Sequence, residues 1–104
     1  MDLFPKYIIE DIKDLGICLI ISKCTYHNEL ATQTKKVKGG GWFVIKNDSM
    51  IFRGDSYDFG KAKVEDVKTA IELNNVYTNK YLTHSIGSKY KFFYDNECEL
   101  IQLN

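Results

Sequence analysis

Gly39-Gly40-Gly41-Trp42-Phe43-Val44-Ile45 and, after a short hairpin, Gly54-Asp55-Ser56-Tyr57-Asp58-Phe59-Gly60 form the stretch on which the fold turns. Three successive glycines leave a strip of main chain bare of side chains, and the four apolar residues after them favour a sheet. Asn47-Asp48 makes a tight turn, since both residues tolerate the left-handed region, and Met50-Ile51-Phe52 returns as the partner strand. Glycine serves where φ must be positive or where another group must approach the backbone. Two such places joined by a hairpin predict a backbone-lined pocket at the edge of a small sheet. For the Gly39–Gly41 run taken alone, a bulge at the strand entry is the competing reading.

Upstream, Lys6 to Ile12 is rich in β-branched and aromatic residues and reads as a strand, with Pro5 tolerated at its start. Asp14-Leu15-Gly16 is a turn. Ile17 to Ser22 is a second strand whose continuous apolar character predicts burial on both faces and a central position. Thr25 to Lys38 is polar and admits a short helix from about His27, capped by Thr25 or Asn28, on a thin stripe of Leu30, Ala31 and Val37. Downstream, Val64, Val67, Ala70 and Ile71 recur at helical spacing until Asn74-Asn75. Val76 to Leu82 fits a strand or irregular chain, Ile86-Gly87-Ser88 a turn, and Tyr90 to Tyr94 and Glu99 to Leu103 two strands separated at Asp95-Asn96. The expected fold is one α+β domain over residues 1–104, a small mixed sheet with about two helices packed on it.

Composition narrows the function classes. Fourteen basic residues balance fourteen acidic ones, and Arg53 is the single arginine, so the basic footprint and bidentate readout of a nucleic-acid binder are missing. The longest apolar run, Ile17 to Ile21, is too short for a membrane span, and the start lacks a signal-peptide pattern. Cys18, Cys24 and Cys98 are odd in number with no framework spacing, which predicts reduced thiols. The expected protein is cytoplasmic, with no nucleic-acid or membrane partner.

Few residues can carry chemistry. His27 follows an apolar strand through a short polar link, a position suited to acid–base or nucleophilic work; a surface or capping histidine is the plainer alternative. His84, in Leu82-Thr83-His84-Ser85, has no partner nearby and reads as structural or solvated. Cys24 and His27 form a Cys-x-x-His without a second pair at ligand spacing, so neither a metal nor any other cofactor is expected. No Gly-Lys-Ser/Thr follows the glycines, so they are not a Walker loop. Gly54 to Gly60 precedes a helix and is either an anion-binding concavity with Ser56 as a hydroxyl donor, or a tight loop whose Asp caps that helix.

The order of a Lys-Tyr-apolar strand, Tyr26-His27, Gly39-Gly40-Gly41, a hairpin, Gly54-Asp55-Ser56 to Gly60 and an amphipathic helix resembles the phosphohistidine phosphatase (Janus/Ocnus) family over Phe4 to Leu73. The resemblance implies a metal-independent hydrolase of the phosphoramidate bond. His27 would be base or nucleophile, and Lys6 would neutralise the phosphoryl group. Amides of His27, Asn28, Ser56 and Asp58, with the Ser56 hydroxyl, would cradle the phosphate. Tyr26, Gly39, Gly40, Gly41, Trp42, Gly54, Tyr57 and Gly60 would shape the pocket. The substrate would be a phosphorylated protein or a small phosphoramidate. Trp42 stands where the family has an arginine, and Asp55 and Asp58 add negative charge to its neutral loop. Those departures suit a second reading, a non-catalytic binding or modulator protein that grips an unidentified protein partner in an aromatic, glycine-lined groove.

Overall fold

The computed structural model describes residues 4–24, 26–78 and 90–104. Among these residues seven strands form one mixed sheet: β1 (Phe4–Ile12), β2 (Gly16–Cys24), β3 (Val37–Lys46), β4 (Ser49–Arg53), β5 (Val76–Tyr77), β6 (Lys91–Asn96) and β7 (Glu99–Gln102). Their spatial order is β5-β2-β1-β3-β4-β6-β7. The pairs β2–β5 and β4–β6 are parallel and the remaining pairs antiparallel. Among the described residues, one α-helix, α1 (Val64–Glu72), and two 3-10 turns, His27–Glu29 and Thr34–Lys36, accompany the sheet in an α+β arrangement.

Local chemistry explains the turns. Asp14 (φ 71°) and Gly16 (φ 83°) reverse the chain between β1 and β2, and Asn47 (φ 54°) does so between β3 and β4. The last hairpin turns two residues later than its sequence suggests. Asp95 and Asn96 pair within β6, and Glu97 (φ 59°) takes the left-handed position.

Alternation along the strands sorts residues to two faces. On one face Tyr7, Ile9, Leu19, Ile21, Phe43, Met50, Phe52, Phe92 and Tyr94 form the main core, onto which α1 sets Val67 and Ala70. The Tyr7 and Phe52 rings meet edge-on at 5.0 Å, a geometry that adds about 0.5–1.5 kcal/mol beyond area burial. On the other face Ile8, Cys18, Ile20 and Leu30 make a smaller cluster with Val37 and Phe59 against it. Residues 18–21 are therefore buried on both faces, as their apolar run demands, although β2 lies second from the β5 edge rather than at the centre.

The segment expected to be a second helix holds only the two single turns, because Leu30 alone of its stripe is fully inside. Its first turn is capped by Tyr26, whose N–H donates to Glu29 Oε1 (3.3 Å), and Asn28 lies inside the turn. The N-cap of α1 is Lys63, so neither Asp55 nor Asp58 caps that helix. The proposed cap Thr25, the turn at Ile86-Gly87-Ser88 and His84 lie outside the described residues, as does the end of the segment from Val76 to Leu82. Among the described residues, no helix is long and apolar enough to cross a membrane.

Candidate active site

The glycine run lies inside β3, on the strand beside β1. A register shift falls between Ile9, opposite Gly39, and Glu10, opposite Val37, so β3 bulges as it enters the sheet. What the three glycines admit is visible in what a side chain would meet there. A Cβ on Gly39 (φ 145°) would lie 2.7 Å from the Ala62 backbone. One on Gly40 would lie 2.5 Å from the Tyr7 carbonyl oxygen and 3.2 Å from His27 Cδ2, and one on Gly41 would lie 2.4 Å from the Arg53 carbonyl oxygen. The bare strip thus seats the His27 ring and the chain beyond Arg53.

His27 opens the first 3-10 turn and is 5% exposed. Its Nε2 lies 2.8 Å from the Gly41 carbonyl oxygen. A carbonyl only accepts, so the neutral ring carries its proton on Nε2 and keeps its lone pair on Nδ1. Burial pushes the His27 pKa down from 6.5; the Gly41 bond opposes this, the Lys6 charge adds to it, and Asp58 and Asp55 pull the other way. The ring is therefore a neutral base at physiological pH.

Lys6 pairs with Trp42 across β1 and β3 and is 6% exposed. Its Nζ lies 4.6 Å from the centre of the Trp42 ring, a cation–π contact. The His27 ring meets the same indole edge-on at 6.5 Å. Lys6, Trp42 and His27 are one cluster on one face of the sheet.

Ser56 is 3% exposed, and its loop folds on itself. The Ser56 amide donates to the Gly60 carbonyl (3.1 Å), which also accepts from the Gly40 amide (3.0 Å), and the Gly60 amide donates back to Ser56 (2.8 Å). The Phe59 amide donates to Ser56 Oγ (3.2 Å). The Ser56 amide, expected in the anion cradle, is consequently occupied, which leaves its hydroxyl proton to donate. The amides of His27 and Asn28, at the head of the His27–Glu29 turn, have no acceptor within that turn. Asn28, Asp55 and Asp58 have exposed side chains, as do Tyr26 (62%) and Tyr57 (101%). Gly54 (φ 74°) lies against the Trp42 indole, where a Cβ would come within 2.8 Å of Cδ1, whereas Gly60 (φ 77°) has open space.

No family model matches this chain, and no curated protein or solved structure matches it either. The reading of the site rests on its geometry. Among the described residues, no group of three or more His, Cys, Asp and Glu side chains is placed to hold a metal ion. Cys18 is buried beside β1, and burial pushes its thiol up to about 11, far from a reactive thiolate.

Two residues of this region went unread in the sequence. Arg53 pairs with Trp42 across the hairpin, so a cation stands next to the position where the resemblance expects one. That pairing follows from counting outward from the two-residue turn at Asn47-Asp48. Glu10 is the other. It is 1% exposed and accepts from the Thr32 amide (2.8 Å), the Thr32 hydroxyl and the Gln33 amide (3.3 Å), tying down the polar segment that carries His27. Nothing in the sequence marks that tie.

Proposed function

We propose that the chain is a phosphohistidine-phosphatase-like hydrolase that cleaves a phosphoramidate bond with His27 as its reacting base. The observation that carries this reading is the buried neutral imidazole, held by Gly41 through Nε2 with its Nδ1 lone pair available, beside the Lys6 ammonium. A buried base with a fixed tautomer and a nearby cation is what phosphoryl transfer asks of a protein, because positioning and charge neutralisation carry most of its catalysis. His27 Nδ1 either takes a proton from the attacking water or attacks phosphorus itself. The substrate's P–N bond breaks, the departing nitrogen keeps the electron pair and takes up a proton from water, and the phosphoryl group ends as inorganic phosphate. In the nucleophilic route a second water cleaves the phospho-His27 bond. Lys6, the His27 and Asn28 amides and the Ser56 hydroxyl would offset the phosphoryl charge.

A second reading has its own support. The Trp42 ring already occupies the Lys6 ammonium, and Asp55 and Asp58 bring negative charge to bear on His27. These features suit a non-catalytic scaffold that binds an amine-bearing or cationic partner between Tyr26, Trp42 and Tyr57.

The two separate in one experiment. The full chain is incubated with a phosphohistidine peptide and, separately, with phosphoramidate, alongside His27→Ala and Lys6→Met. Phosphate release that disappears in His27→Ala supports the hydrolase. Absent release, or release unchanged in that variant, refutes it and leaves the binder.

A further inference from the structure

Among the described residues, no buried apolar cluster covers part of the sheet face that carries Lys6. Over β1 and β2 it is covered by Leu30, Ala31 and Phe59. Val44, Ile51 and Phe93, on β3, β4 and β6, belong to neither buried apolar cluster and are each only half-buried. Register makes them one row, since Val44 pairs with Ile51 and Ile51 with Phe93. Side chains in such a row stand about 5 Å apart from strand to strand.

Charged residues border the row on both sides, Arg53 with Asp95 on one and two lysines on the other. Two residues along β3 and β4 in one direction are Trp42 and Arg53, paired with each other; in the other direction Lys46 pairs with Ser49, and Ser49 with Lys91. Arg53, Lys46 and Lys91 are exposed, and among the described residues none of their side chains makes an ion pair or hydrogen bond. The one acidic residue in β3, β4 and β6 is Asp95, half-buried and two residues beyond Phe93. Thr78 and Tyr90 line one hollow with Phe43 and Met50, on the opposite face.

The charge pattern selects the occupant. A second copy docked through this face would set the same cations against each other, with only Asp95 of each to offset them. A nucleic-acid strand fits poorly with a neutral chain and a single arginine. An acidic segment with apolar side chains matches both the row and its borders.

We propose that this face of β3, β4 and β6 is a docking surface for an acidic peptide segment of a partner protein. The partner's apolar side chains lie on Val44, Ile51 and Phe93, and its carboxylates meet Lys46, Arg53 and Lys91. The proposal stands whether or not His27 is catalytic.

The test titrates the isotope-labelled full chain with an amphipathic peptide of alternating Glu-Glu and Leu-Leu pairs. Its controls are the same peptide with lysine for glutamate, and oligothymidylate of equal charge. Amide shifts concentrated at residues 44, 51 and 93, weakened by salt, are expected. Reversing both exposed lysines (K46E with K91E) should weaken binding about tenfold, with thermal stability checked in parallel. The proposal is overturned by no binding, by shifts centred on α1, by equal binding of the lysine peptide or by tighter binding of the oligothymidylate. Concentration-dependent dimers that protect this face would overturn it as well.

Discussion

The Lys6 ammonium lies 4.6 Å from the centre of the Trp42 ring, so the cation of the candidate site is already engaged by an aromatic face. Such a contact contributes about 0.5–1 kcal/mol when exposed and about 2 kcal/mol when desolvated. An anion arriving at Lys6 competes with it. Trp42→Arg removes the competitor and adds a second cation, and each added charge at contact distance is worth on the order of 1–4 kcal/mol. Inorganic phosphate should therefore bind Trp42→Arg at least about tenfold more tightly than the parent, read by calorimetric titration. Lys6→Met in that background should reverse the gain. Equal affinities in all three proteins would mean that this cluster is no anion site.

The His27 ring sets a pH dependence with a definite sign. Its pKa is depressed in the folded protein by burial, below the 6.5 of the unfolded chain. The unfolded state thus binds a proton first on acidification. Stability is complete above 6.5 and is lost as pH falls from there through the folded pKa. His27→Gln keeps an N–H donor for the Gly41 carbonyl but does not titrate. Urea midpoints of the parent should drop relative to this variant as pH falls below neutral and run parallel above it. If the hydrolase reading holds, kcat/KM falls across the same acidic window. Parallel midpoints at all pH values would show that the ring is not buried in its neutral form.

The hairpins were legible because period-two alternation and turn chemistry agree at Asp14, Gly16 and Asn47. The helix α1 was legible from the spacing of Val64, Val67, Ala70 and Ile71. The segment after Tyr26 was not, since the chain between its two turns is held by long-range bonds to Glu10 rather than by an apolar stripe of its own. The site divides the same way. His27 and Lys6 stood out by residue type and motif order, and both are buried beside Trp42. Consumption of the Ser56 amide by Gly60 depends on how the loop docks on Gly40, a contact between distant segments that no local pattern announces.

Close packing on the glycine strip makes a graded series. Gly41→Ala places a Cβ 2.4 Å from the Arg53 carbonyl oxygen, and Gly40→Ala places one 2.5 Å from that of Tyr7. Both neighbours are backbone and cannot swing aside, so each variant should lose about 3 kcal/mol or more. Gly60→Ala meets open space, and its cost is the left-handed backbone alone, about 1–2 kcal/mol. Chemical denaturation should rank Gly40→Ala and Gly41→Ala well below Gly60→Ala. In Gly40→Ala the Cβ also comes within 3.2 Å of His27 Cδ2, so the imidazole NMR signals of His27 should move with the stability. A Gly40→Ala protein as stable as the parent would contradict the close approach of the Tyr7 carbonyl to this strand, and unmoved His27 signals would contradict the placement of its ring.

Glu10 joins stability to the site. Its buried carboxylate accepts from Thr32 and Gln33, five residues or more past His27 in the segment that carries the imidazole. Hydrogen bonds to a charged acceptor contribute about 1.5–3 kcal/mol each, and a buried donor left unmet costs about 1–3 kcal/mol. Glu10→Gln keeps the shape but sets an amide NH2 where an acceptor oxygen stood, so it should cost about 2–3 kcal/mol, whereas Thr32→Val, which spares the amide bonds, should cost about 1–2 kcal/mol. Hydrogen exchange discriminates the mechanism. In Glu10→Gln the amides of Thr32 and Gln33 should lose protection before those of the β1–β2 pair, because the tie fails locally before the sheet does. Uniform loss across both would mean that Glu10 supports the whole fold and not this segment in particular.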